Sequence, residues 1–304
     1  MKRRKACQLL AAGLGAVGQV QGQEALPFQL RYVVSSAMYG EMPLATILPE
    51  VSKAGASAID IWCRSHGNQR EQLDELGHDN ARILFARHQV TPAVFTRYPL
   101  GPFGLKPEMP VAKSFGAQLI VCGSSGPSEP KGNEAKTAVQ TFLEKMKPEV
   151  AAAEEHGLTL AVENHDRQLL YHPDSLRYFA EFNRSKHLGI ALAFHHLHAF
   201  ADQIPTLIRD LGSVQIPFVY FQEHSVGIRK KVAKEIEMQQ LPGFGGGLDY
   251  LPIVGALKDI DYKGYCEIFM HPVPRGIPIL PTPGEVTAAI NKSRAYIETC
   301  LAAL

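Results

Sequence analysis

Leu158-Thr159-Leu160-Ala161-Val162-Glu163-Asn164-His165 is a short apolar run that ends abruptly in a carboxylate, an amide and an imidazole. A run of this length, with Gly157 behind it, reads as a strand buried on both faces, the kind found in parallel sheets. In parallel barrels, chemistry sits at the C-terminal strand ends. Glu163 is therefore a candidate metal ligand or acid/base group. The plainer alternative is a carboxylate on a solvated loop.

Outward from this strand, apolar runs alternate with helical patterns. Leu30–Ser35, Ala58–Trp62, Val90–Phe95 and Gln118–Cys122 read as strands one to four, and the opening stretch is strand five. Leu188–Phe194, Pro217–Gln222 and Tyr265–Phe269 complete the set. Between them fall helical faces such as Leu44, Ile47, Leu48 and Val51, and a polar helix over Asn68–His88. Val139, Phe142, Leu143, Met146 and Val150 mark another helix, which Pro148 is expected to kink or break. Thr282-Pro283-Gly284-Glu285 carries a capping-box pattern at the start of the last helix. Eight such units from residue 30 to residue 302 average about 34 residues each, which fits a (β/α)8 TIM barrel. A dinucleotide-binding open sheet would need its glycine fingerprint after strand one, whereas the glycine-rich run Gly243–Gly247 follows strand seven. That run lacks the Lys-Ser/Thr of a phosphate loop and reads as a flexible connection.

Composition fits an ordinary globular chain, with 304 residues, 45% hydrophobic and 20% charged. Lys2-Arg3-Arg4-Lys5 followed by the apolar run Ala6–Val20 has the form of an export signal over residues 1–25, with a twin-arginine hint in Arg3-Arg4. The expected domain is then 26–304, exported to the periplasm or beyond, with no stable membrane insertion once the signal is removed. A net charge of +1 overall, or −3 after cleavage at Gly22, argues against a nucleic-acid partner. The cysteines show no paired spacing, so buried free thiols are expected.

The strand ends gather donor side chains. Glu163-Asn164-His165 ends strand five, and Ala193-Phe194-His195-His196 ends strand six with His198 beyond. Gln222-Glu223-His224 ends strand seven, and Glu267 and His271 mark strand eight. Barrel closure brings these ends around one mouth, and the mixed oxygen and nitrogen donors suit Mn2+, Mg2+, Co2+ or Zn2+. Because neighbours on a strand face opposite ways, one or two of His195, His196 and His198 are expected to converge. His66 stands after strand two and is a candidate for sugar hydroxyls, as is His165. Trp62 is a candidate stacking platform, with core packing the alternative. Arg275 lies near the usual barrel phosphate site, with a solvent-facing turn the alternative.

On Glu163-Asn164-His165, Pro242-Gly243-Phe244-Gly245 with Asp249, and Gly264-Tyr265-Cys266-Glu267-Ile268, the chain resembles the xylose isomerase-like barrel superfamily of sugar isomerases and epimerases. The resemblance implies metal ligands Glu, Asp, His and Glu from strands five to eight. The glutamates fall on Glu163 and Glu267. The strand-six Asp-x-x-His pattern keeps His196 but has Ala193 for Asp, and Gln222 stands where the strand-seven His is expected. The implied metal set is therefore Glu163, His196, Gln222 and Glu267, with Glu163 and Glu267 also acting as acid/base pair. The implied activity is a metal-dependent isomerase or epimerase on a carbohydrate, in which a homo-oligomer is compatible. A lyase or hydratase on oxidised sugars would share the enolisation step, and an inactive carbohydrate-binding barrel is the reading from a different class. A phosphodiesterase of the endonuclease branch would need more metal ligands and a basic face.

Overall fold

The computed structural model describes residues 27–224, 226 and 228–304; the expected signal segment lies outside them. Eight strands close into one parallel barrel in sequence order. They are β1 (Arg31–Ser35), β2 (Ala58–Trp62), β3 (Thr91–Thr96), β4 (Leu119–Gly123), β5 (Thr159–Glu163), β6 (Leu188–Ala193), β7 (Phe218–Phe221) and β8 (Tyr265–Ile268). Closure is made by β1 against β8, from Arg31 opposite Tyr265 to Val34 opposite Ile268. The fold is the (β/α)8 barrel expected from the alternation of apolar runs.

Among the described residues ten α-helices surround it: α1 (Leu44–Lys53), α2 (Gln69–Leu76), α3 (His78–His88), α4 (Met109–Ser114), α5 (Gly132–His156), α6 (Pro173–Phe182), α7 (Ile204–Gln215), α8 (Lys234–Met238), α9 (Tyr250–Asp259) and α10 (Pro283–Ala302). Two helix expectations change. The single helix over Asn68–His88 is two, because Gly77 takes φ +77° between them. Pro148 does not break α5, which runs continuously through it. Val139, Phe142 and Met146 before the proline and Ala153 after it are buried, so packing on both sides offsets the roughly 3 kcal/mol that an interior proline costs. The capping box forms as expected: Glu285 N donates to Thr282 Oγ1 at 3.3 Å and Thr282 N to Glu285 Oε2 at 2.9 Å.

Strands β2, β6, β7 and β8 are buried throughout, which is why they read as unbroken apolar runs. Inside the barrel an aromatic cluster occupies the upper layers. Trp62 is 1% exposed and stacks on Phe269 with ring centroids 4.7 Å apart. Tyr220, Tyr98 and His66 meet the same indole. Among the described residues no helix is long and apolar enough to cross a membrane. Cys63, Cys122, Cys266 and Cys300 are free and buried.

Candidate active site

Glu163 is the last residue of β5, and its side chain is buried at the C-terminal end of the barrel. Asn164 behaves like one more sheet residue. Its Oδ1 accepts from Ala193 N at 2.7 Å and its Nδ2 donates to Ala193 O at 3.0 Å, tying the end of β5 to the end of β6. Beyond Ala193 the chain leaves the sheet and turns into a 3-10 segment, Phe194–Gln203. Neighbours in such a turn are about 120° apart rather than opposed, so adjacent histidines can face one way. His195 and His196 do so, with ring centroids 3.9 Å apart. The alternation argued from a strand thus holds only as far as Ala193, and two histidines converge for a different local reason.

Donor atoms of Glu163, His195 and His196 all lie within 4.8 Å of one another, and all three residues are buried. His196 Nε2 is 3.9 Å from Glu163 Oε1, while its Nδ1 faces Asp166 Oδ1 at 3.2 Å. Burial lowers the pKa of both imidazoles, and for His195 the nearby histidines add to the effect. Both rings are therefore neutral near pH 7, the form that ligates a metal. Two neutral imidazoles and a carboxylate fit a divalent transition ion, and Asp166 stands where a second carboxylate would fix the ligating tautomer of His196. Asp166 is held well below the usual carboxylate range, first by the hydrogen bond from the His196 ring, with the Arg229 guanidinium adding to it. His165, Asp166 and His196 form a second group of converging donors that shares His196.

Glu267 lies apart from this trio. Its carboxyl is fully buried with Asp60, Ser35 and Trp62 for neighbours. Burial, then the charge of Asp60, pushes its pKa well up. Asp60 is itself pushed up to about 7 by burial, although Thr96 Oγ1 donates to its Oδ2 at 2.6 Å. Gln222 is buried and donates through Nε2 to His224 O at 3.1 Å and to Gln240 Oε1 at 2.8 Å; its Oε1 has no hydrogen-bond partner among the described residues. The four residues of the sequence-derived metal set are thus all buried in the barrel, with Glu163 and His196 together and Glu267 beside Asp60.

Of the other candidates, His165 lies with its ring centroid 3.8 Å from that of His196, the rings tilted by 38°, and places Nδ1 2.7 Å from Asp166 O. His66 packs edge-on against Trp62 and His271, and burial with the charge of Arg275 lowers its pKa to about 3. Arg275 is partly buried beside the mouth, rather than on a solvent-facing turn. Two cavities meet at Asp166 and His196. One, of about 490 Å³, is bordered by His165, Arg229 and Arg275; the other, of about 610 Å³, by His195, His198 and His224. Tyr98 and Tyr220 place their hydroxyls 3.2 Å apart, and burial followed by the charge of Glu163 raises both phenols well above their usual pKa.

The glycine-rich run has an internal occupant. The buried carboxylate of Glu223 accepts from Gly243 N at 3.1 Å and Leu248 N at 3.3 Å. A Cβ at Gly246 would stand 2.2 Å from Gln239 O and 2.5 Å from Glu223 Oε2. Gly246→Ala is therefore expected to cost about 1–3 kcal/mol, the usual penalty of overpacking. Thermal denaturation beside an exposed control such as Gly284→Ala, where a Cβ meets nothing within 4 Å, checks it.

The sequence matches the family model of the xylose isomerase-like TIM barrel over residues 48–296. The chain belongs to the xylose isomerase-like TIM barrel family. Among solved structures of the same fold is the IolI protein with a bound zinc atom, at 18% identity and TM-score 0.68, covering 89% of this chain and 99% of that one. D-psicose 3-epimerase from Clostridium cellulolyticum H10, solved with D-tagatose, aligns at 14% identity and TM-score 0.66, covering 90% and 99%. The 3-keto-D-glucoside 4-epimerase YcjR from E. coli aligns at 13% identity and TM-score 0.62, covering 90% and 100%. No curated protein sequence gives a significant match.

Within this xylose isomerase-like barrel, sequence reasoning passed over three residues. Asp60 had a signal, since a carboxylate inside Ala-Ile-Asp-Ile-Trp contradicts a buried strand. Asp166 directly continues Glu163-Asn164-His165. Arg229 had none, because its contact with Asp166, at 2.7 Å, spans the barrel mouth from a distant loop.

Proposed function

We propose that this chain is a sugar isomerase or epimerase that works by moving a proton at a carbon beside a carbonyl. The observation that carries this reading is the convergence of Glu163 with two neutral histidines, His195 and His196, where two cavities meet at the barrel mouth. When bound at these residues, a divalent cation supplies a Lewis acid that acidifies the carbon acid next to a carbonyl. Glu163 is assigned as the base that removes the proton. Tyr98 and Tyr220 keep their protons at neutral pH; Tyr98 faces Glu163 as a donor, and the two hydroxyls are hydrogen-bonded to each other. Glu267 also keeps its proton and is assigned as the acid that returns one; Tyr220 neighbours both glutamates. Gln222, through its free Oε1, is a further candidate ligand. His165 orients substrate from the wall of the smaller cavity, and His66, packed against Trp62 and His271, is a further substrate-binding candidate with Trp62.

The test is deuterium wash-in from heavy water, read by NMR over a panel of ketoses, aldoses and sugar acids. Protein loaded with Mn2+ or Zn2+ is expected to exchange one carbon-bound proton. Chelation should slow exchange by about 100-fold or more, reversed by adding the metal back. Absence of both bound metal and exchange across the panel would leave the carbohydrate-binding reading. Appearance of an unsaturated or dehydrated product in place of an epimer would identify the lyase branch.

A further inference from the structure

The smaller cavity has an unbalanced wall. Four cations border it, Arg167, Arg229, Lys230 and Arg275, against the single carboxylate of Asp166. That carboxylate is already engaged by His196 Nδ1 at 3.2 Å and Arg229 Nη2 at 2.7 Å. Arg275 has no acidic partner within ion-pair distance among the described residues, and its Nη1 is buried without a hydrogen bond. Removing a guanidinium from water without a counter-ion is costly, so a fold that holds one there is holding it for something. Burial and the nearby charge of Arg229 push its pKa down to about 10, still charged at neutral pH.

The turn that carries Arg275 is anchored on both sides. Val273 N donates to Glu237 Oε1 at 2.9 Å, and Gly276 O accepts from Glu41 N at 2.8 Å. The guanidinium is thus presented on a fixed turn, beside the wall that also holds His165 and His196. Arginine is the side chain whose planar fork matches a carboxylate or a phosphate.

We infer that the substrate of this site is a sugar derivative bearing an oxyanion, a carboxylate or a phosphate, which Arg275 receives in the smaller cavity while the reacting carbon lies at Glu163. This rests on the reading of the mouth as a sugar site. Arg229, tied to Asp166, adds charge to the same wall and links the anion subsite to the residue that faces His196.

The experiment is isothermal titration of the full-length protein with D-glucuronate, D-galacturonate, D-glucose 6-phosphate and the neutral parent sugars, in parallel with Arg275→Met and Arg275→Lys. The acids should bind at least about tenfold more tightly than their neutral parents, weakening as salt is raised. Arg275→Met should erase this preference, so that acids and their neutral parents bind alike, and Arg275→Lys should keep part of it. Stronger binding of uronates assigns a carboxylate; stronger binding of the phosphate ester assigns a phosphate. The salt dependence of the native protein carries the test if the variants fold poorly. Equal affinity for acids and neutral sugars, no binding of any acid, or full acid preference in Arg275→Met would overturn the inference. Acid preference without deuterium exchange would leave the anion subsite standing and remove the enolisation reading; exchange without acid preference would do the reverse.

Discussion

Glu163→Gln should lower deuterium exchange into substrate by about 10³-fold or more, the upper part of the range for losing a positioned base. The amide has the carboxylate's shape, so the buried end of β5 keeps its packing, and the Asn164 bridge to Ala193 does not involve the altered group. Melting temperature should therefore stay close to that of the native protein. The substitution also removes one of three converging donors, so metal content has to be read separately. At saturating metal, with the ion measured as bound, exchange should remain lost, because an amide cannot take up a proton at neutral pH. Native exchange rates in Glu163→Gln would exclude it as the base. Rates rescued fully by added metal would reduce it to a ligand.

The order and position of the strands could be read from the sequence because burial on both faces leaves a local mark, an apolar run with turn residues at either end. The mouth was legible in outline for the same reason: a strand end is the one place where a buried run can give way to charge. Glu163 and His196 were visible in that way, and they do meet. His195 was legible only as one of three histidines of which one or two would converge, since its direction depends on where β6 stops and the 3-10 turn begins. That boundary is held by Asn164, which stands just past the end of β5 and bridges to Ala193, and no local pattern encodes it. The glycine-rich run misled for a similar reason. Its spacing suggested looseness, but its amides surround Glu223, a carboxylate 20 residues earlier in the chain. Arg275 was placed near the mouth by its position after β8, while the absence of a counter-charge around it is a property of the assembled wall alone. Local chemistry announces strands and their ends; the environment that sets a proton or orphans a cation is made by closure.

Glu267 is where that difference has the largest measurable consequence, through the dependence of stability on pH. In the unfolded chain Asp60 and Glu267 titrate near the ordinary carboxylate range, about 4. In the folded barrel both are raised, mainly by burial and then, for Glu267, by the neighbouring Asp60. A raised folded pKa means that folding takes up protons, so this contribution is complete below about pH 4 and is lost as pH rises through the folded values, about 7 for Asp60. Each proton involved gives a slope of about 1.4 kcal/mol per pH unit. His66, His195 and His196 act in the opposite sense, because their lowered pKa values stabilise the fold above about 6.5 and withdraw that support as pH falls. A comparison of native protein with Glu267→Gln cancels the histidines. The amide copies the protonated carboxyl, so in urea titrations the native protein should lose stability relative to the variant as pH rises above the ordinary carboxylate range of about 4, with a slope of up to about 1.4 kcal/mol per pH unit. Parallel curves would mean that the two carboxyls do not hold extra protons in the fold. Repeating the titration at saturating Mn2+ decides the role of Glu267 in the metal set: a ligating carboxylate is ionised and paired, so the alkaline loss should vanish with the ion bound, whereas a buried acid away from the ion should keep its slope unchanged.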